Sequence, residues 1–376
     1  MKRILFLLCL IALALSVNAY AAPEVAAPSA VLMEKSTGTV LYAKDEHTPR
    51  EPASVTKIMT VLLTMDAIDA GTLRYDDAVT ASAHAASMGG SQIWLREGET
   101  MTVRDLLKAV CVVSGNDAAV ALGEHLAGSE DAFVERMNER AAALGMNDTH
   151  FVNACGLPAE GHVTSAYDIA LMSRELIARH PDVRQFTTVW MDSLRDGASL
   201  LVNTNKLIRS YPGATGLKTG STDAAGYCLS ATAERDGMEL IAVVLKNRTS
   251  DERSADVRAL LDYGFANYAL VTVRPEAALP PLRVTLGERR AVQPVLTPEN
   301  TLLLEKSRAA GLQQETLLPE AVSAPVAAGD RLGELRVTDA AGETVAALPI
   351  LAGEDVPHVT WGQMLRRLWH ASFCAE

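Results

Sequence analysis

Two short apolar strings, residues 30–33 and 39–42, flank Ser36-Thr37-Gly38 and predict a β-hairpin. From residue 54 to residue 70 almost every position is apolar or a good helix former. The polar face of a surface helix is missing there, so the pattern predicts a helix buried in a larger domain. Residues 102–126 hold two more helical patterns, broken at Ser114-Gly115-Asn116, where a turn takes side chains out of helical register. The stretch 145–164 is rich in Gly, Asn and Pro and reads as a long loop, a lid over a cleft. Strand character returns at 217–220, 227–233 and 239–245, with a turn at Arg235-Asp236-Gly237, and a helix is expected over 255–268. The sum is an α/β sandwich with an antiparallel sheet, discontinuous in sequence, which the early hairpin can join.

Pro and Ala crowd residues 275–281 and mark a boundary. Beyond it, short alternating runs at 282–286, 301–304, 331–337 and 344–348 predict a small all-β domain over 275–352. No titratable cluster stands out in it, so a spacer is its expected role. The tail, 358–376, changes period: Trp361, Met364, Leu365, Leu368 and Trp369 share one helical face, while Gln363, Arg366, Arg367 and His370 gather opposite. Interfacial aromatics beside cations suit a membrane surface, and at about 1.5 Å per residue such a helix is too short to cross a bilayer. A last helix docked on its own domain is the plainer reading of the same pattern.

The first residues assign a compartment. Lys2 and Arg3 precede an apolar run at 4–15, and Ala19-Tyr20-Ala21 supplies a small-x-small cleavage pattern, so 1–21 reads as a secretory leader. The net charge of −12 excludes broad electrostatic capture of nucleic acid. With Cys9 in the leader, Cys111, Cys155, Cys228 and Cys374 are widely spaced, with no C-x-x-C pair and no histidine at ligand spacing. Neither a metal site nor a disulfide framework is expected, and no cofactor. Cys111 and Cys228 fit small core residues, and a bridge between them stays open.

Three strings carry chemistry: Ser54-Val55-Thr56-Lys57, Ser114-Gly115-Asn116 and Lys218-Thr219-Gly220. Serine needs a base within hydrogen-bond reach. With a helix starting near Ser54, Lys57 lies one turn on and on the same face, able to take the proton when neutral. Burial, the helix dipole and a second cation, Lys218, would all lower its pKa. Ser114, between Ser54 and Lys218, could relay a proton to a departing amine, and the Asn116 amide could hold a substrate peptide group. Lys218 offers fixed positive charge on an edge-type strand, Thr219 a donor, and Gly220 room for a ligand backbone.

The S-x-x-K, S-x-N and K-T-G set in this order is the signature of penicillin-recognising serine acyl-transferases. The S-G-N variant and the run Arg50-Glu51-Pro52-Ala53-Ser54-Val55-Thr56-Lys57-Ile58-Met59-Thr60 resemble the low-molecular-mass D-alanyl-D-alanine carboxypeptidases. The resemblance implies a β-lactamase/transpeptidase-like domain over 22–270, acting on peptidoglycan pentapeptide stems and trapped by β-lactams. It also implies an oxyanion hole from the backbone N–H groups of Ser54 and Ser221, and an arginine near the cleft at Arg253. For Arg253 a solvated helix-start arginine remains open. The loop from His150 to Pro158 also resembles relatives. It gives His150 and His162 no catalytic role, and Asp168 is expected to cap the helix that follows. A class A β-lactamase would need an E-x-x-L-N string in the 145–164 loop, which is absent. A D,D-endopeptidase, or a cell-wall binding module with a relic site, is also compatible with the motifs.

Overall fold

The computed structural model describes residues 21–373, with side chains to residue 369; residues 1–20 of the expected leader, His370 and Cys374 fall outside the described side chains. The described chain divides into two compact units, one up to Ala266 and one from Asn267.

In the first unit, β1 (Ser29–Glu34) and β2 (Val40–Lys44) form the hairpin. A 3-10 turn (Ala53–Thr56) then leads into α1 (Lys57–Asp69). Next come α2 (Val103–Val112), α3 (Asn116–Ala127), α4 (Glu130–Ala143) and α5 (Ala166–Arg179). A small hairpin, β3 (Met191–Leu194) and β4 (Ser199–Val202), precedes β5 (Ala214–Thr222), β6 (Gly226–Arg235), β7 (Met238–Asn247) and α6 (Ser250–Asn267). The main sheet is antiparallel in the order β2-β1-β7-β6-β5, so the first strand lies beside the last and β5 forms an edge.

Both sheet faces are covered, which explains why β1 and β7 read as continuous apolar runs without alternation. Val31, Met33, Ile241 and Val243 face the helical core with Ile58, Met59 and Leu62 of α1. Leu32 and Leu240 face α6 at Gly264, where an added Cβ would sit 2.5 Å from a Leu240 methyl. The α1 helix is buried nearly all round, as its pattern predicts.

The loop 145–164 is a wall, not a lid. Phe151, Ala154 and Cys155 are buried in the core. Asn153 Oδ1 accepts from the N–H groups of Cys155, Gly156 and Leu157 and ties the turn to itself. Gly156, at φ +85°, leaves no space: a Cβ would lie 1.9 Å from the Ala53 carbonyl oxygen. Asp168 does not cap α5. Ser165 does, accepting from the Asp168 N–H at 3.1 Å, while the buried Asp168 carboxylate accepts from Asp148 N–H and Thr149 Oγ1.

The second unit is β-rich. Strand β8 (Tyr268–Thr272) pairs with 301–305, and the long strands 331–338 and 344–352 pack Leu335, Val337, Leu348 and Ile350 into one core. Sequence reading extends α6 through Tyr268, whereas the helix stops at Asn267 and the strand begins at once. The final helix, α7 (Trp361–Phe373), anchors its polar side: Arg367 Nη1 donates to Gly287 O at 3.0 Å and Gln363 Nε2 to Glu288 Oε1 at 3.1 Å. Trp361, Leu365, Leu368 and Trp369 stay exposed. Among the described residues no helix is long and apolar enough to cross a membrane.

Candidate active site

The turn before α1 places Ser54, and the first residue of α1 is Lys57. Ala53 sits at φ +47° and Ser114 at φ +66°, left-handed conformations that non-glycine residues adopt only where the surroundings enforce them. Ser54, Ser114, Thr219, Gly220, Ser221 and Arg253 line one cavity of about 280 Å³. Ser91, Thr204, Tyr227 and Ser250 complete its wall. These four escape sequence reading, since each is an ordinary loop, helix-start or strand residue without a local signature.

Lys57 Nζ is fully buried and has three partners: Ser54 Oγ at 2.8 Å, Asn116 Oδ1 at 2.6 Å and the Cys155 carbonyl oxygen at 2.6 Å. The last two are pure acceptors, so a neutral amine keeps its two N–H bonds on them and turns its lone pair toward the Ser54 hydroxyl. Burial pushes the Lys57 pKa down from 10.5 to about 8, although Cys155 and Asp117 act to raise it. The effect of the paired cations falls instead on Lys218. Burial first, then the Lys57 charge, hold its pKa well below the usual lysine value. Lys218 Nζ donates to the Thr219 carbonyl at 2.8 Å.

Ser114 Oγ is buried and has no hydrogen-bond partner among the described residues. The Asn116 amide is turned inward, accepting from Lys57 and donating through Nδ2 to Gly89 O at 2.6 Å, and it does not line the cavity. Gly220 also departs from expectation. A Cβ there would lie 2.9 Å from Pro52 O and Ser54 N, so its missing side chain admits the nucleophile's own turn. A Gly220→Ala variant is expected to displace that turn, lower stability by about 1–3 kcal/mol and slow acylation; thermal melting and acylation rates check both.

Arg253 is buried rather than solvated. Its guanidinium lies 5.8 Å from the Tyr227 ring centre, Nη2 donates to Ser250 Oγ at 3.1 Å, and Nε has no partner among the described residues. His162 lies behind the site. Val152 N–H donates to Nδ1 at 3.0 Å, leaving Nε2–H to donate to Thr56 Oγ1 at 2.8 Å. Burial pushes its pKa down to about 4, so this is a neutral structural imidazole. Cys111, Cys155 and Cys228 are free, buried thiols. Among the described residues no group of His, Cys, Asp and Glu could hold a metal ion.

The family model described as D-alanyl-D-alanine carboxypeptidase matches residues 16–249, a span that holds all three motif strings. The chain belongs to that family. The D-alanyl-D-alanine carboxypeptidase DacF of Bacillus subtilis is 41% identical over 346 residues, covering 91% of this chain and 88% of that protein. Penicillin-binding protein 5 of Haemophilus influenzae has a TM-score of 0.80 at 29% identity, over 90% of this chain and 100% of that structure. Penicillin-binding protein 6B of Escherichia coli has 0.74 at 32% identity, over 89% and 98%. As a family member the chain is a serine-type, penicillin-binding D-alanyl-D-alanine carboxypeptidase with the transpeptidase fold and a β-rich C-terminal region.

Proposed function

We propose that the chain removes the terminal D-alanine from peptidoglycan pentapeptide stems through an acyl-enzyme on Ser54. The observation that carries this reading is the Lys57 amine, held by two acceptor-only partners with its third contact on Ser54 Oγ. Ser54 Oγ attacks the carbonyl of the penultimate D-alanine while Lys57 takes the hydroxyl proton. The backbone N–H groups of Ser54 and Ser221 stabilise the oxyanion. As the C–N bond breaks, Ser114 passes a proton to the departing amine, and water then cleaves the ester. Arg253, cationic and short of a partner at Nε, and Thr219 take the terminal carboxylate, while Gly220 lines the wall beside them and Lys218 holds the Thr219 carbonyl. Asn116 acts on the site by orienting Lys57.

Loop 145–164 sends Lys57 a backbone carbonyl rather than the carboxylate that a class A β-lactamase would use for its deacylating water, which favours slow β-lactam turnover. A relative from Listeria monocytogenes, 35% identical over 65% of this chain, has been solved in an ampicillin-bound form, and β-lactams are read here as acylating Ser54. Purified protein is expected to release free D-alanine from a pentapeptide. Peptide binding without release would instead favour a relic site.

The same reading takes residues 1–21 as a cleaved leader and places the mature enzyme outside the cytoplasmic membrane. The exposed Trp361, Leu365, Leu368 and Trp369 rest on the membrane surface. Removing residues 361–376 is expected to abolish liposome sedimentation and leave D-alanine release intact. Unchanged sedimentation would return α7 to a purely structural part.

A further inference from the structure

We propose that Thr204 is a positioning residue that aims the Thr219 hydroxyl at the substrate's terminal carboxylate. Thr204 Oγ1 lies 2.7 Å from Thr219 Oγ1, and both residues line the catalytic cavity. Two hydroxyls in mutual contact share one hydrogen bond and therefore leave one O–H to be placed elsewhere. With Thr204 donating, Thr219 Oγ1 is satisfied as an acceptor and its own proton is turned to the cavity. That cavity also holds Arg253, whose buried Nε has no partner among the described residues. An anion is the acceptor that matches a leftover O–H beside a guanidinium, and it polarises the hydroxyl chain in the donating sense.

The backbone around Thr204 is fixed for such a task. Buried Asn203 donates through Nδ2 to Val189 O at 2.7 Å and accepts the Asn205 N–H at 2.8 Å. Buried Asn205 donates to Gly216 O at 2.9 Å and accepts the Leu207 N–H at 3.1 Å. Thr204's own N–H donates at 3.0 Å to Val112 O, at the end of α2 just before Ser114. With both neighbours locked and a β-branched side chain stiff at χ1, the hydroxyl has little freedom to leave Thr219.

The inference rests on the reading of Arg253 and Thr219 as the carboxylate site, and the test separates the two. Steady-state kinetics would use a pentapeptide ending in free D-alanine and the same peptide ending in a D-alanine amide. Thr204→Val is expected to raise KM for the carboxylate peptide about tenfold with kcat nearly unchanged, Thr204→Ser to restore it, and the amide peptide to respond to neither. Thr204→Ala replaces valine in the comparison should the latter not accumulate folded. An unchanged KM overturns the proposal, as do equal losses on both peptides or a fall in kcat that serine does not rescue. Arg253→Gln is run beside them. If it fails to discriminate the two peptides, the carboxylate reading falls; if it discriminates and Thr204→Val does not, only the role of Thr204 falls.

Discussion

Replacing Ser54 with alanine abolishes acylation: the variant takes no label from a fluorescent penicillin and releases D-alanine at least about 10⁴-fold more slowly than the parent chain. The size follows from the loss of the hydroxyl that lies against the Lys57 amine. Its neighbours cannot substitute. Lys57 is packed against Asn116 and Cys155, and the thiols of Cys111 and Cys228 are buried with pKa values pushed up to about 12 and about 11 by burial. The fold should be indifferent, because Ser54 contributes one side-chain hydrogen bond and Lys57 retains its other two. Labelling that persists in the alanine variant would remove Ser54 from the mechanism.

Substituting Lys57 has the next largest effect. Lys57→Met removes the base and is expected to slow acylation by about 10³–10⁴-fold, and Lys57→Arg should do no better because a guanidinium cannot give up its proton. In the parent enzyme the reactive form is the neutral amine. With the Lys57 pKa lowered from 10.5 to about 8, the acylation rate should climb with pH and level off above about 8. A profile still climbing toward 10.5, or one with no inflection near 8, would exclude Lys57 as the base.

Stability responds in the opposite sense to what a lost contact suggests. A native pKa below the unfolded value means that the unfolded chain holds its proton more tightly, so Lys57 opposes folding by up to about 3 kcal/mol below pH 8. That cost fades as pH rises from about 8 to 10.5. Methionine relieves it but leaves Asn116 Oδ1 and the Cys155 carbonyl without their donor, at about 1–3 kcal/mol each. The two effects are of similar size, so the inactive variant should melt within a few degrees of the parent at neutral pH.

The buried helix, the hairpin and the three late strands are legible in sequence because each writes its burial into a local apolar pattern. The three motif strings lead to one cavity for a different reason: a nucleophile, a base and a polar turn are recognisable by residue type. Groups that act through the backbone leave no such trace. The Cys155 carbonyl that holds Lys57 could be any residue's, and Gly/Asn/Pro richness in 145–164 announces irregular chain without telling whether it covers the site or walls it. Thr204 is silent in the same way, since its meaning depends on a partner brought beside it by folding. Asp168 misleads when it is read alone: Ser165 and Asp168 stand at cap and third helical position, and the serine wins the cap.

Strand β5 ends its sheet, and a sheet edge is ordinarily an invitation to any extended chain, a second copy included. Here the turn of Ala53–Thr56 packs on the face of that strand at Gly220 so closely that not even a methyl group fits between them. Beside it the cavity of about 280 Å³ opens along the same strand through Thr219, Gly220 and Ser221. The contact that sets the nucleophile thus lies on the sheet face and leaves the pairing direction of β5 to an extended peptide end.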